Sequence, residues 1–320
     1  MLKRIALIVL LALAASSAAA QTSYPARPIR FVVPYPPGGF TDILARLIGQ
    51  KLTDSWSQPV VIENKGGGGS TIGTDIVAKA APDGYTILMV APDLAINPSL
   101  YARLPYDAAR DFAPVSLVAW GPIALVVHPS LQVSTLKEFV ALAKASPRPL
   151  NYASGGNGTA GHLAMELFKS TAGIPLVHVP YKGIAPASTD LLSGQVPVMF
   201  LQMALARPHV MAGRLRALAV AGSRRSEALP DVATVAEAGL PGFEVNPWFG
   251  VVAPAGTPAD IVAKLSSEVG RIMRLPDVKE RIATQGGEPA ANTPDEFGAF
   301  LRSEILKWAK VAKDSGARVD

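Results

Sequence analysis

Two short runs of this chain combine residue types that hold an anion. One is Pro37-Gly38-Gly39-Phe40-Thr41-Asp42, and the other is Ser154-Gly155-Gly156-Asn157-Gly158-Thr159. Their glycines let backbone N–H groups approach a ligand. Each run opens onto an apolar, helix-periodic segment whose first N–H groups have no intrahelical partner. A carboxylate is the matching chemistry. Thr41 reads as an N-cap, and Asp42 falls in the first turn, where negative charge suits the helix dipole. Asp42 fits two roles: a cap for its own helix, or an acceptor for a water that bridges to the ligand. A plain β–α bend, with Gly38 and Gly39 serving only the turn, accounts for the first run equally well.

Other reaction chemistries find little support. The chain has no cysteine, which excludes a thiol nucleophile, a disulfide framework and cysteine-ligated zinc. His128, His162, His178 and His209 are scattered, so no metal site is expected, and His162 reads as a packed or capping residue. The stretch Gly66 to Gly69 lacks the Gly-Lys-Ser/Thr ending of a phosphate loop. Gly156 to Gly161 matches G-x-G-x-x-G, but the next strand runs into Pro180-Tyr181-Lys182 where a ribose would need an acid. An exported dinucleotide enzyme therefore ranks last, and Ser70 and Ser154 have no Asp–His partners assignable by spacing. No catalytic residue and no cofactor are expected.

The elements that must position the two runs alternate. Residues 29–33 read as a buried strand, and a helix follows with Ile43, Leu44, Leu47, Ile48 and Leu52 on one face. Residues 59–63 and 85–90 read as further strands of an α/β fold with a largely parallel sheet. Residues 115–128 form a long apolar run broken at Gly121-Pro122, read as a strand leaving one lobe for another, and residues 245–252 read as the return crossing. Between them the pattern repeats, with strands over 150–153, 176–179, 196–200 and 215–220. Two α/β lobes joined by two crossover strands make a clamp with a ligand cleft between them. Ligands of such sheets bind at the carboxyl ends of strands. That adds Tyr35, Asp93, Tyr181, Gln202 and Met203 to the candidate contacts. The expected division is a leader at 1–20, the first part of lobe 1 at 21–121, lobe 2 at 122–246, and a return to lobe 1 with C-terminal helices at 247–320. Thr135, Thr257 and Thr293 read as N-caps of helices with an acid three residues on.

The leader has Lys3 and Arg4 ahead of an apolar run over 5–15, too short for a bilayer span of about 20 residues, and Ala18-Ala19-Ala20 offers a cleavage site. The mature chain should be soluble and periplasmic. Formal net charge is +5, and the basic residues are dispersed, so no nucleic-acid surface is expected.

Ordered motifs over essentially the whole mature chain resemble the Bug-type receptors of the tripartite tricarboxylate transporters. They include residues 33–39 with Thr41-Asp42 and Ala45-Arg46, then Ala80-Ala81-Pro82-Asp83-Gly84-Tyr85, and Asn157-Gly158-Thr159 with His162-Leu163-Ala164. His178-Val179-Pro180-Tyr181-Lys182-Gly183 and the stretch from Leu229 to Gly239 complete the set. The resemblance implies a type II periplasmic-binding-protein fold, a monomer, closing on a small carboxylated organic ligand. It implies that the two Gly-rich loops hold the carboxylate through N–H groups, hydroxyls and ordered waters. Delivery to integral-membrane transporter components is the implied role; a sensor reporting to a membrane partner would use the same clamp. This chain departs from the family pattern at Phe40, at Gly161 and at Leu201-Gln202-Met203. Those changes leave no evident acidic partner for an ammonium, so an aliphatic or aromatic acid is expected to bind better than its amino-acid counterpart.

Overall fold

The structure, a computed structural model, describes residues 24–315 and 318, so the leader assigned to 1–20 lies outside the described residues. Strand β1 (Ile29–Val33) sends Val32 to one hydrophobic cluster and Ile29, Phe31 and Val33 to another, the period-two alternation of a strand buried on both faces. It pairs in parallel with β2 (Val60–Asn64) and β3 (Thr86–Val90). Strand β4 (Phe112–Trp120) leads across Gly121-Pro122 into β5 (Ile123–Val127), which belongs to a different sheet. There β6 (Leu150–Ser154), β7 (Leu176–Pro180) and β8 (Val198–Gln202) run parallel, while β5 lies antiparallel between β8 and β9 (Arg216–Val220). The chain returns through β10 (Trp248–Pro254), antiparallel to both β3 and β4, and the two-residue β11 (Glu288–Pro289) edges the first sheet. The sheets are ordered β11-β4-β10-β3-β1-β2 and β7-β6-β8-β5-β9.

Each sheet is thus mixed rather than purely parallel. The inserted antiparallel strand is the one that crosses between lobes: β10 in the first sheet and β5 in the second. The crossings are tied together, since Gly121 N–H donates to the Pro247 carbonyl at 2.8 Å and Ala221 N–H donates to the Ile123 carbonyl at 2.9 Å. A Cβ on Gly121 would stand 2.5 Å from the Phe249 ring, so only glycine lets the two crossings approach so closely.

Helices cover both faces of the sheets. They are α1 (Phe40–Trp56), α2 (Thr71–Ala78), α3 (Asp93–Leu100), α4 (Leu136–Ala145), α5 (Ala160–Ala172), α6 (Ile184–Leu192), α7 (Met203–Met211), α8 (Ala259–Met273), α9 (Pro276–Thr284) and α10 (Pro294–Ser315). The Thr135–Glu138 capping box is present at α4, and Thr293 and Glu296 bond reciprocally at the start of α10. Two N-cap expectations fail. Gly39, not Thr41, is the N-cap of α1, because the helix begins one turn position earlier at Phe40. Thr257 instead donates its hydroxyl to the Pro254 carbonyl at 2.7 Å, and Pro258 takes the cap position of α8.

Helix α10 packs along α3 and β4 and reaches α5 of the second lobe. Its anchor is polar. Trp248 Nε1 on the return crossing and Trp308 Nε1 on α10 each donate to Glu304 Oε2 at 2.9 Å, all three residues being buried. Glu304→Ala would leave two buried indole N–H groups unpaired, each costing about 1–3 kcal/mol. A drop of about 2–6 kcal/mol in unfolding free energy is expected from the denaturant midpoint. Glu304→Gln keeps an acceptor and should lose less.

Candidate functional site

A cavity of about 230 Å³ lies between the lobes. Lobe 1 contributes residues 35–41 and 91–93; lobe 2 contributes Gly155, residues 159–161, 182–186, Ser188, Phe200, Gln202, Leu205 and His209; Ile123, Pro247 and Phe249 line it from the crossings. Five helices begin at residues that line this cavity: α1 after Gly39, α3 after Pro92, α5 after Thr159, α6 after Gly183 and α7 after Gln202. No side chain caps any of the five. Thr159 turns its hydroxyl to the Gly156 carbonyl at 2.8 Å, which leaves the first N–H groups of α5 without a side-chain acceptor. Converging helix starts and the Lys182 side chain make this an electropositive corner in an otherwise apolar chamber.

The chamber brings together ten residues singled out from sequence: Tyr35, Pro37, Gly38, Gly39, Phe40, Thr41, Asp93, Gly155, Thr159 and Gln202. Phe40 seals its hinge side, its ring set edge-on to Phe249 with centroids 5.0 Å apart. The remaining candidates lie off the wall, each for a visible reason. Asp42 is buried beside the loop, where Gly38 N–H and Arg46 Nε donate to Oδ2 at 3.0 Å and Asn64 Nδ2 donates to Oδ1 at 2.9 Å. Burial pushes its pKa up, but Arg46, Gly38 and Asn64 outweigh burial and hold the carboxyl below its ordinary value. Asp42 therefore braces the loop as an anion, and the Gly38 N–H it accepts is not free for a ligand. Ser154 is buried behind the second loop, with Oγ 2.6 Å from His178 Nε2 and accepting Gly156 N–H at 3.1 Å. Gly156 and Asn157 form the bend itself, and the Asn157 carbonyl faces Gly69 of lobe 1. Gly158 N–H donates to His162 Nδ1 at 3.2 Å. Tyr181 turns away, its hydroxyl donating to Asp190 Oδ2 at 2.6 Å. Met203 lies fully buried behind the wall. The period of two on β8 puts Phe200 and Gln202 on the cavity side and excludes Leu201.

The second loop rests on a stack of rings. His162 lies 4.1 Å from His178, centroid to centroid, and Tyr152 covers the far face of His178 at 4.8 Å. Burial pushes the His162 pKa down to about 4, and burial together with the neighbouring His162 pushes His178 down to about 3. Both rings are neutral at pH 7, so His162 Nδ1 is available as the acceptor that fixes Gly158.

Asp93 is the acidic group in the wall. Tyr35 donates its hydroxyl to Oδ1, and burial pushes the pKa up to about 6 against the opposing hydrogen bonds of Ser70 and Tyr35. Its Oδ2 is buried with no partner.

The residues that sequence reading missed are mainly Lys182, the α6 start at Gly183 and Ile184, Ser188, Leu205 and His209. The signal was present: residues 176–184 repeat the strand, glycine and helix order of the two chosen loops. The choice of Tyr181 fell one residue short. Ser188, Leu205 and His209 lie inside helices, where sequence carries no mark of a shared cavity.

A mixed two-lobed α/β fold with an anion-accepting chamber between the lobes is that of a solute-binding receptor. The chain belongs to the tripartite tricarboxylate transporter receptor family, whose pattern it matches over residues 44–317. It is 42% identical over 299 residues to protein BugT of Bordetella pertussis, across 93% of this chain and 92% of that protein. Among solved structures, R. palustris Rpa4515 with adipate is 37% identical with a TM-score of 0.89, over 93% of this chain and all of that one. MatC from Rhodopseudomonas palustris with bound malate is 34% identical with a TM-score of 0.85, over 90% of this chain and 99% of that one.

Proposed function

We propose that this receptor binds a small carboxylic acid in the cavity between its lobes and presents the closed form to the membrane components of a tripartite transporter in the periplasm. The observation that carries this reading is the meeting of five uncapped helix starts, from both lobes, at one small and mostly apolar chamber. The ligand carboxylate sits against the N–H groups after Gly39, Thr159 and Gly183, with Thr41 and Lys182 beside them. The carbon chain lies on Phe40, Ile123, Phe200 and Phe249. Adipate in one relative and malate in another are ligands of this chemistry.

The lobes already touch: Cβ atoms built on Gly69 and Gly183 of facing lobes would lie 2.8 Å from the Asn157 carbonyl and 3.3 Å from Pro36. A ligand gripped by both lobes favours this closed arrangement over an open one. At about 100 times its dissociation constant it should add roughly 2.7 kcal/mol of apparent stability. At about 2–4 °C per kcal/mol that is a rise of several degrees in melting temperature, and the radius of gyration in solution scattering should fall with it. A panel of carboxylic acids that leaves both unchanged would overturn the proposal. A melting rise without compaction would put the ligand on one lobe.

A further inference from the structure

The chain has six asparagines, and one of them, Asn157, precedes a glycine. The following backbone nitrogen is the atom able to attack an asparagine carboxamide, and glycine adds no side chain to hinder it. The other five are disarmed. Asn97 and Asn246 precede proline, whose nitrogen carries no hydrogen to give up. Asn64 is bonded through both carboxamide atoms, to Tyr35, Asp42 and Arg46, and Asn292 Oδ1 accepts Leu117 N–H at 2.8 Å. Asn151 is held extended in β6 and precedes a tyrosine. Asn157 stands half-buried in the bend between Gly156 (φ +130°) and Gly158 (φ +79°). Its carboxamide has no hydrogen-bond partner among the described residues.

Two contacts hold the attacking nitrogen still. Gly158 N–H donates to His162 Nδ1 at 3.2 Å. Gly158 is also buried against α3 of the opposite lobe, where a Cβ on it would stand 2.6 Å from Asn97 Oδ1 and 3.4 Å from Leu100 Cδ1. Turning the Asn157–Gly158 peptide toward the carboxamide breaks the first contact and, with the lobes together, collides with the second. Parting the lobes removes the second.

We propose that Asn157 is a deamidation site guarded by lobe closure. The Gly158 nitrogen bonds to Asn157 Cγ and loses its proton; the Cγ–Nδ2 bond breaks, and the nitrogen leaves as ammonia, closing a five-membered imide. Water then opens the imide at either carbonyl. The product is aspartate or, with the chain rerouted through the side chain, isoaspartate. Either puts a negative charge in the loop whose Gly155 and Thr159 line the cavity, where it opposes an incoming carboxylate. That consequence for binding rests on the carboxylate reading above; the modification itself does not.

The test is peptide mass spectrometry on the full mature chain kept in mildly alkaline buffer, alone and with saturating malate or adipate. The chain alone should gain about one mass unit at residue 157 well ahead of the other asparagines, with isoaspartate appearing beside aspartate. The acid that compacts the chain should slow this gain. Leu100→Ala, which thins the cover from the opposite lobe, should speed it at residue 157 and not at Asn151. Asn157→Asp supplies the charge directly and should bind the acid about two- to fivefold more weakly than Asn157→Ser, a gap that added salt narrows. No gain at residue 157, or one no faster than at Asn151, overturns the site. A rate that neither the acid nor Leu100→Ala changes overturns the guard. Equal affinity of the Asp and Ser variants overturns the effect on binding. Should neither acid bind the parent, the carboxylate reading loses its support, while the mass gain and Leu100→Ala still decide the site and its guard.

Discussion

Gly158→Val is expected to lower stability by about 2–5 kcal/mol and to abolish ligand-driven closure. Gly158 has φ +79°, a region where an ordinary residue costs about 1–2 kcal/mol and a β-branched one more. Its Cβ would stand 2.6 Å from Asn97 Oδ1, and overpacking of that kind costs about 1–3 kcal/mol. Asn97 has little room to yield, being fully buried with its Nδ2 donating to the Gly69 carbonyl at 2.9 Å. In sequence, Gly158 reads as one of the loop glycines that let backbone N–H groups approach a carboxylate. The structure gives it a different role. Gly158 lies off the cavity and bears on α3 of the opposite lobe, so a side chain there is a wedge between the lobes. Melting should fall, and the acid that compacts the parent in solution scattering should no longer compact the variant. Gly158→Ala should show the same changes on a smaller scale. A Gly158→Val variant that binds with parental affinity and compacts normally would show that this contact plays no part in closure.

The second large effect is acid sensitivity of the second loop. His162 and His178 have folded pKa values of about 4 and about 3, both below the ordinary 6.5. Above pH 6.5 both rings are neutral folded and unfolded, and their contribution to stability is whole. Below it the unfolded chain takes up protons that the folded stack refuses, so stability falls as the pH falls toward 4. At pH 5 the loss is about 2 kcal/mol for His162 and less for the half-buried His178, where solvent screens the charge. Asp93 acts in the opposite sense. Its folded pKa of about 6 lies above the ordinary 3.8, so its burial is least costly at low pH, and acidification to pH 5 returns about 1 kcal/mol. A net decline between pH 6.5 and 5 is expected in melting experiments. The double variant His162→Gln, His178→Gln should lose that decline, because its loop has no ring to protonate. Proton NMR supplies the direct measurement: two histidine ring signals should stay unshifted down to pH 5. If all the histidine signals move near pH 6.5, the stack is open to solvent and the neutral pair is wrong.

Much of this architecture follows from local pattern. Apolar strands of five residues, glycine-bearing loops and amphipathic helices recur in a fixed order, and a long apolar run broken by Gly121-Pro122 marks the passage between sheets. Those signals are local, because strand alternation, helix periodicity and breakers act within a few residues. They were enough for two lobes, a cleft and the loop at Gly38 and Gly39. What they could not rank was which residue of each loop faces the ligand. Asp42 and Ser154 carry suitable oxygens, yet Arg46, Asn64 and His178 occupy them, and those partners lie up to 24 positions away. Asp93, Ser188 and Gln202 look unremarkable one by one. Only the tertiary structure brings Asp93 from the start of α3, Ser188 from within α6 and Gln202 from the end of β8 to the wall of one chamber, because proximity across the cleft is a property of the whole fold and not of any segment.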